Sequence, residues 1–209
     1  MGIVPGMIRI PPVIVLAALA GLCIAPVSRA QSLDTQRPVV RDALAAAEAG
    51  RLDGATSSAL VRHPLYGWVE FASLRRQIGG GSTPQAQGFL ERHEGQAVAE
   101  QFRSLWLAAL ARRQEWPTFL AAWKPTENLS LQCAHLQARQ ATGRTDAAWT
   151  QQAQAIWRKG AKSLPDGCEP VFNVLASQGG LTPALRWERI EAAAAERQTG
   201  VMRSAARGL

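Results

Sequence analysis

The sequence predicts an all-α fold: an irregular right-handed α-superhelix of stacked helical hairpins, a tetratricopeptide-like solenoid. Three observations predict it. Apolar residues recur at i, i+3, i+4 and i+7 in short runs separated by small breaks, the pattern of amphipathic helices. Tryptophans repeat at a helical-pair period, with 33 residues from Trp116 to Trp149 and 34 from Trp123 to Trp157, within the range of helical-repeat arrays. After residue 40 the text is rich in Ala, Leu and Arg and poor in β-branched residues, which favours helix over sheet. Of the 209 residues 47% are apolar and 19% charged, enough apolar material for a folded core and too little charge for a disordered chain.

The elements follow in chain order. Residues 1–30 read as a secretory signal, and residues 31–209 as the α-superhelical domain. Arg9 marks a basic start, Val13 to Ile24 is an uncharged apolar run too short to span a bilayer comfortably, and Ser28-Arg29-Ala30 is a small-x-small exit. Cleavage is expected between Ala30 and Gln31; the competing expectation is an uncleaved N-terminal anchor. Cys23 is preceded by Leu22 rather than a small residue, so it is expected to leave with the signal. A helix tail is expected at Ala43–Ala49 and helices at Leu65–Ile78 and Gln85–His93, separated by the break GGGS at 79–82.

Phe102, Leu105, Trp106, Ala109 and Leu110 form one helical stripe, and Trp116, Phe119, Leu120 and Trp123 a second. Pro117 suits the first turn of that second helix, where its missing N–H costs nothing, and Pro125 stops it. Leu129, Cys133 and Leu136 mark a third stripe, and Trp149, Ala153, Ile156 and Trp157 a fourth. Between these two, TGRTD at 142–146 resembles AGRLD at 49–53. In such a turn Gly ends one helix and Asp caps the next. Pro165-Asp166-Gly167 is a turn, Val171–Ala176 a short helix, and Leu181–Ala195 a longer one. The segment from Gly200 to Leu209 is ambiguous as a capping helix. Trp68, Trp106, Trp116, Trp123 and Trp157 are expected as packing wedges on apolar stripes; the stripe placement of Trp149 and Trp187 is weakest.

Candidate catalysts are scarce. His63, His93 and His135 have no metal spacing and no evident acid partner, so surface or capping roles are expected. Glu91 with Glu94, and Glu188 with Glu191, share helix faces, as a glycosidase pair could, but Arg92 and Arg189 beside them point to solvated faces. No phosphate loop, nucleophile elbow or Cys-x-x-Cys occurs. The expected catalytic, cofactor and metal residues of this chain are therefore none. The formal charge of +7 falls to +5 once Arg9 and Arg29 are set aside, residues 1–30 carrying no acid. Without a Lys/Arg block or a nucleic-acid motif, this charge does not describe a DNA or RNA binder. Cys133 and Cys168, an even pair beyond the signal, are a disulfide candidate if the chain is exported, with two buried free thiols as the alternative.

HPLYGWVEFASLRRQ (63–77), RSLWLAALARRQEWPTFLAAW (103–123), LQCAHLQARQATGRTDAAW (131–149) and IWRKGAKSLPDGCEPVF (156–172) resemble, in this order, the N-terminal superhelical region of the soluble lytic murein transglycosylases. Leu65, Tyr66 and Glu70 match that family's first motif. Trp106, Leu107, Leu110, Ala111, Arg113 and Trp116 match its second. Gln132, Cys133, Gly143 and Trp149 match its third, and Trp157, Gly160, Ser163, Pro165, Cys168 and Glu169 its last. The resemblance implies a periplasmic protein with a U-shaped helical domain and a Cys133–Cys168 pair. It also implies a role in cleaving peptidoglycan to 1,6-anhydromuropeptides. In that family a separate C-terminal lysozyme-like domain carries the catalytic Glu, and none of its motifs occurs here. The chain is thus expected to be the non-catalytic superhelical part of such an enzyme, truncated or degenerate. A basic concave face would touch glycan strands, the catalytic domain would be encoded elsewhere, and no stable membrane anchor is expected. The competing expectation is a stand-alone periplasmic helical-repeat adaptor that binds another protein.

Overall fold

The computed structural model describes Gly2, residues 27–52 and residues 58–209, with side chains from Gln36 and, after the gap, from Leu60. Apart from Gly2, residues 1–26 of the expected signal lie outside the described residues. Among those described, every regular element is helical: α1 Val27–Glu48, α2 Ser58–Val61, α3 Tyr66–Arg75, α4 Thr83–Arg92, α5 Ala97–Arg113, α6 Trp116–Ala122, α7 Leu129–Ala141, α8 Ala147–Arg158, a 3-10 turn Asp166–Cys168, α9 Glu169–Ser177, α10 Pro183–Ala195 and α11 Thr199–Ala206. Ala30 and Gln31 fall within the first turns of α1. The ambiguous C-terminal segment is a helix, burying Val201 and Ala205. The helix expected from Leu65 stops at Arg75 rather than Ile78, because the backbone turns at Gln77 into the glycine run.

Helix ends are set by side chains the sequence supplies. Asn128 Oδ1 accepts from Leu131 N at 3.3 Å, Asp146 Oδ1 from Trp149 N at 2.9 Å, and Thr182 Oγ1 from Leu185 N at 3.3 Å, each satisfying a donor that the first turn leaves free. Gly143 closes α7 at φ +73°, a left-handed conformation that costs glycine little. The TGRTD turn is thus realised as read. Asp53 of the similar AGRLD stretch lies outside the described residues. Pro84, Pro117, Pro170 and Pro183 sit in first turns.

Packing is sequential. α1 lies on α3, α3 and α4 on α5, α5 on α6 and α7, α7 on α8, α8 on α9 and α10, and α10 on α11. Three apolar clusters succeed one another along the chain. The first joins Val40, Ala47, Leu60, Val69 and Ala72; the second runs from Phe71 through Phe89, Phe102 and Trp106 to Phe119 and Leu131; the third holds Cys133, Trp149, Ile156, Trp157, Val171 and Leu175. This is the nearest-neighbour architecture of a solenoid. Cys133 on α7 and Cys168 at the 3-10 turn form a disulfide within the third cluster, with Cα atoms 5.0 Å apart.

The indoles bear out one expectation and correct another. Trp149, whose stripe placement was weakest, is fully buried (0% exposed), and its Nε1 donates to Leu136 O at 2.9 Å. Asp146 caps α8 so that its first turn presses Trp149 into α7. Trp68, expected inside, is 38% exposed. The neighbouring positions Val69 and Ala72 take the inner face against α1, leaving Trp68 at the edge with the Phe71 ring 5.9 Å away at 89°. Trp187 is 54% exposed, Trp106 and Trp157 are buried, and Trp116 and Trp123 are half-buried.

Two outcomes follow. Trp149→Phe removes the buried indole N–H bond to Leu136 O and leaves space in the core, and is expected to cost about 1–3 kcal/mol, whereas Trp68→Phe is expected to cost less than about 1 kcal/mol; urea unfolding of both variants decides. Reducing Cys133–Cys168, which closes a loop across 35 positions, is expected to lower stability by roughly 3–4 kcal/mol, read as the shift in unfolding midpoint on adding reductant.

Candidate functional site

A groove of about 580 Å³ opens where α6 gives way to α7 and faces α8. After α6 the chain extends through Trp123 (φ −63°, ψ 133°) into Pro125. This brings the Trp123 indole flat against His135 of α7, with centroids 4.3 Å apart and planes within 3°. Phe119 backs the indole at 5.7 Å. The rest of the wall is polar: Thr126 and Glu127 from the loop, Gln132 from α7, and Gln152 and Lys159 from α8, with Leu136, Ala155 and Ile156 at the floor. Gln132 Nε2 donates to Thr126 O at 2.5 Å and Thr126 Oγ1 accepts from Asn128 N at 3.2 Å, fixing the loop. Lys159 Nζ stands 3.8 Å from Glu127 Oε2 across the opening.

Burial, and then the Arg139 charge, push the pKa of His135 down to about 4 from 6.5. The ring is therefore neutral at pH 7, and the Trp123–His135 stack is an uncharged aromatic wall flanked by amides and one exposed ion pair. With Phe119 and His135 against its two faces, the indole gives the groove its edge, and the stack as a whole makes an uncharged apolar side along which a sugar ring can lie while amide groups meet hydroxyl and acetamido groups.

The acids singled out in the sequence lie elsewhere. Glu91, Glu94 and Glu191 are exposed, and Glu188 pairs with Arg158 at 3.0 Å. One expectation is corrected. His93 is buried, and its Nε2 lies 2.8 Å from Glu70 Oε2, while Arg92 holds the other carboxylate oxygen. Glu70 on α3 and the end of α4 lie 23 positions apart; they meet because both helices pack on α5, a convergence that spacing along the chain does not encode. Doubly engaged, Glu70 is a staple between α3 and α4. His63 is buried rather than at the surface; its Nδ1 accepts from Leu65 N at 3.1 Å in the turn before α3, which has no side-chain cap. Among the described residues no group of His, Cys, Asp and Glu could hold a metal ion, and no helix is long and apolar enough to cross a membrane.

No family model matches the chain. The soluble lytic murein transglycosylase of Escherichia coli K12 is 29% identical over 190 residues, covering 88% of this chain. The lytic transglycosylase Slt of Pseudomonas aeruginosa, solved as an inactive mutant, superposes with a TM-score of 0.66 at 26% identity over 80% of this chain. This chain is a homologue of the soluble lytic murein transglycosylases. The 70 kDa soluble lytic transglycosylase of Escherichia coli shares the all-α superhelical fold, with a TM-score of 0.68 at 22% identity over 84% of this chain. The chain spans 29% of the length of the curated Escherichia coli transglycosylase and 28% of each solved one.

The groove residue His135 generates a pH dependence. Its folded pKa lies below its unfolded one, so the unfolded chain takes up the proton first. The stability of the neutral ring is whole above about pH 6.5 and is lost as pH falls toward 4. His135→Phe keeps the stack and removes the titration. It is expected to reduce the loss between pH 7 and pH 4.5 by about 1–2 kcal/mol, allowing for screening at a half-buried site; denaturant unfolding at the two pH values measures it.

Proposed function

We propose that this chain is the non-catalytic superhelical part of a periplasmic lytic murein transglycosylase, and that it holds a peptidoglycan glycan strand in the α6–α8 groove. The observation that carries the reading is the Trp123–His135 wall on a scaffold homologous to enzymes named for acting on murein. An uncharged aromatic stack beside the amides of Gln132 and Gln152 suits an N-acetylated sugar. The acids around it suit chemistry less well. Glu127 is exposed and faces Lys159. Asp146 caps α8, the Trp149 N–H holding its carboxyl below the usual range. Neither is a buried carboxyl, the setting that a catalytic acid for glycoside cleavage uses. The signal-like residues 1–30 and the Cys133–Cys168 disulfide both suit an oxidising compartment outside the cytoplasm, and a lysozyme-like partner domain would supply the catalytic acid.

The test uses purified murein sacculi. The chain is expected to co-sediment with them without clearing turbidity or releasing 1,6-anhydromuropeptides. Trp123→Ala is expected to weaken sedimentation about tenfold, a loss of about 1.4 kcal/mol. Release of anhydromuropeptides overturns the non-catalytic reading. Sacculus binding that ignores Trp123, or retention of a periplasmic protein without any sacculus binding, favours the helical adaptor.

A further inference from the structure

On the far side of α8 from the groove, one cation is buried without a counter-charge. Ile156 and Lys159 line the groove, whereas Trp157 lines a second cavity of about 490 Å³ between the 3-10 turn, α9, α10 and α11. Arg189 of α10 is only 8% exposed there. Its guanidinium lies 4.1 Å from the Trp157 ring centre, and its Nε donates to Gly160 O at 3.0 Å. A Cβ on Gly160 would come within 2.8 Å of Arg189 Cζ, so this glycine is what lets the arginine in. Among the described residues no carboxylate comes within ion-pair distance of Arg189; Glu188, its neighbour, pairs with Arg158. Burial lowers its pKa below the usual arginine value.

Arg186, one turn earlier, faces the same indole at 6.0 Å. Its Nη1 donates to Arg207 O at 2.7 Å, but its Nε is buried with no partner. Arg207 and Asn173 also line the cavity, and Asp166 and Glu169 stand at its 3-10 end, unpaired among the described residues. A buried cation without a counter-ion is unfavourable. The π-face of Trp157 covers one side of the Arg189 guanidinium and leaves its N–H edge to be matched. That edge suits a planar, two-oxygen acceptor. A cavity of this volume is in the range that holds small ligands, and its lining carries both signs of charge, Asp166 and Glu169 from the 3-10 turn side and Arg186 and Arg189 from α10.

We propose that this cavity binds the C-terminal carboxylate of a short zwitterionic peptide, with Arg189 and Arg186 holding the carboxylate and Asp166 or Glu169 facing the ligand's ammonium group. The site is separate from the glycan groove and does not depend on it: dipeptide binding with no sacculus binding would leave this proposal standing while the groove reading fell.

The test titrates the full chain with alanyl-alanine, with its C-terminal amide, and with inorganic phosphate. The readout is the indole N–H resonance of Trp157, which is fixed by donation to Leu185 O at 3.1 Å. The free dipeptide is expected to shift this resonance saturably, the amide to bind at least about tenfold more weakly, and phosphate more weakly than the dipeptide. Arg186→Gln and Gly160→Ala, the second displacing Arg189 without removing its charge, are each expected to weaken the dipeptide about tenfold at unchanged helical circular dichroism. Equal binding of acid and amide, phosphate binding as tight as the dipeptide, no saturable shift, or folded variants that bind as well as the parent chain would each overturn the proposal.

Discussion

No hairpin in this chain can cover its own apolar stripe, so each must be roofed by the next. That constraint organises the molecule. α7 shows it most clearly: its Leu131 face belongs to the middle cluster with Phe102 and Phe119, and its Cys133 and Leu136 to the last cluster with Trp149 and Val171. One helix thus serves two cores, and both fail if it slips. The fixtures around it answer to that risk. The disulfide ties α7 to the 3-10 turn, Trp149 Nε1 ties α8 to an α7 carbonyl, and Asn128 and Asp146 set where the two helices begin.

Several residues that mark the resemblance to the transglycosylases sit at such joints. Glu70 clamps the end of α4 through His93 and Arg92. Trp149 and Cys133 lock α7 to its neighbours. Trp157 and Gly160 together make the slot that Arg189 enters from α10. These positions are demanding for physical reasons: a clamp needs a carboxylate of one length, and a slot needs a residue with no Cβ. A motif of this kind reports the joint between hairpins, which is a packing requirement and not a chemical one.

What the sequence made legible was local. The 3.6-residue stripes gave α5 to α8 with small errors at their ends, because amphipathicity is written in consecutive residues. The Gly143–Asp146 turn was legible because both roles, the left-handed close and the cap, belong to residue types with known backbone preferences. Illegible were the features made by two helices arriving at one place. His93 finds Glu70 only once α5 holds both of their helices. Trp68 left its expected inner place because the apolar stripe of a helix spans more than one candidate position, and the neighbour chooses among them. The Trp123–His135 wall was half legible: Trp123 was read as a packing wedge, and it is one on its Phe119 side, but its other face meets an imidazole twelve positions on, at a cavity.

The basic composition has a structural share that a reading of net charge alone assigns to partners. Arg76 donates to Glu48 O at the end of α1, Arg103 to Ala122 O at the end of α6, Arg113 to the Ile78 and Gly79 carbonyls beyond α3, Arg186 to the Ala205 and Arg207 carbonyls at the end of α11, and Arg189 to Gly160 O beyond α8. Arg76, Arg103 and Arg186 reach carbonyls that a helix leaves free at its negative end, and Arg113 and Arg189 reach carbonyls of the loop just beyond one. An arc of short helices has many such ends, and a long cationic side chain reaching from an adjacent helix can satisfy them while its stem packs on apolar surface. These arginines are therefore fasteners between successive helices. The exception is instructive. Arg189 fastens with Nε alone and leaves its outer N–H groups to a cavity, and that difference separates a fastener from a site.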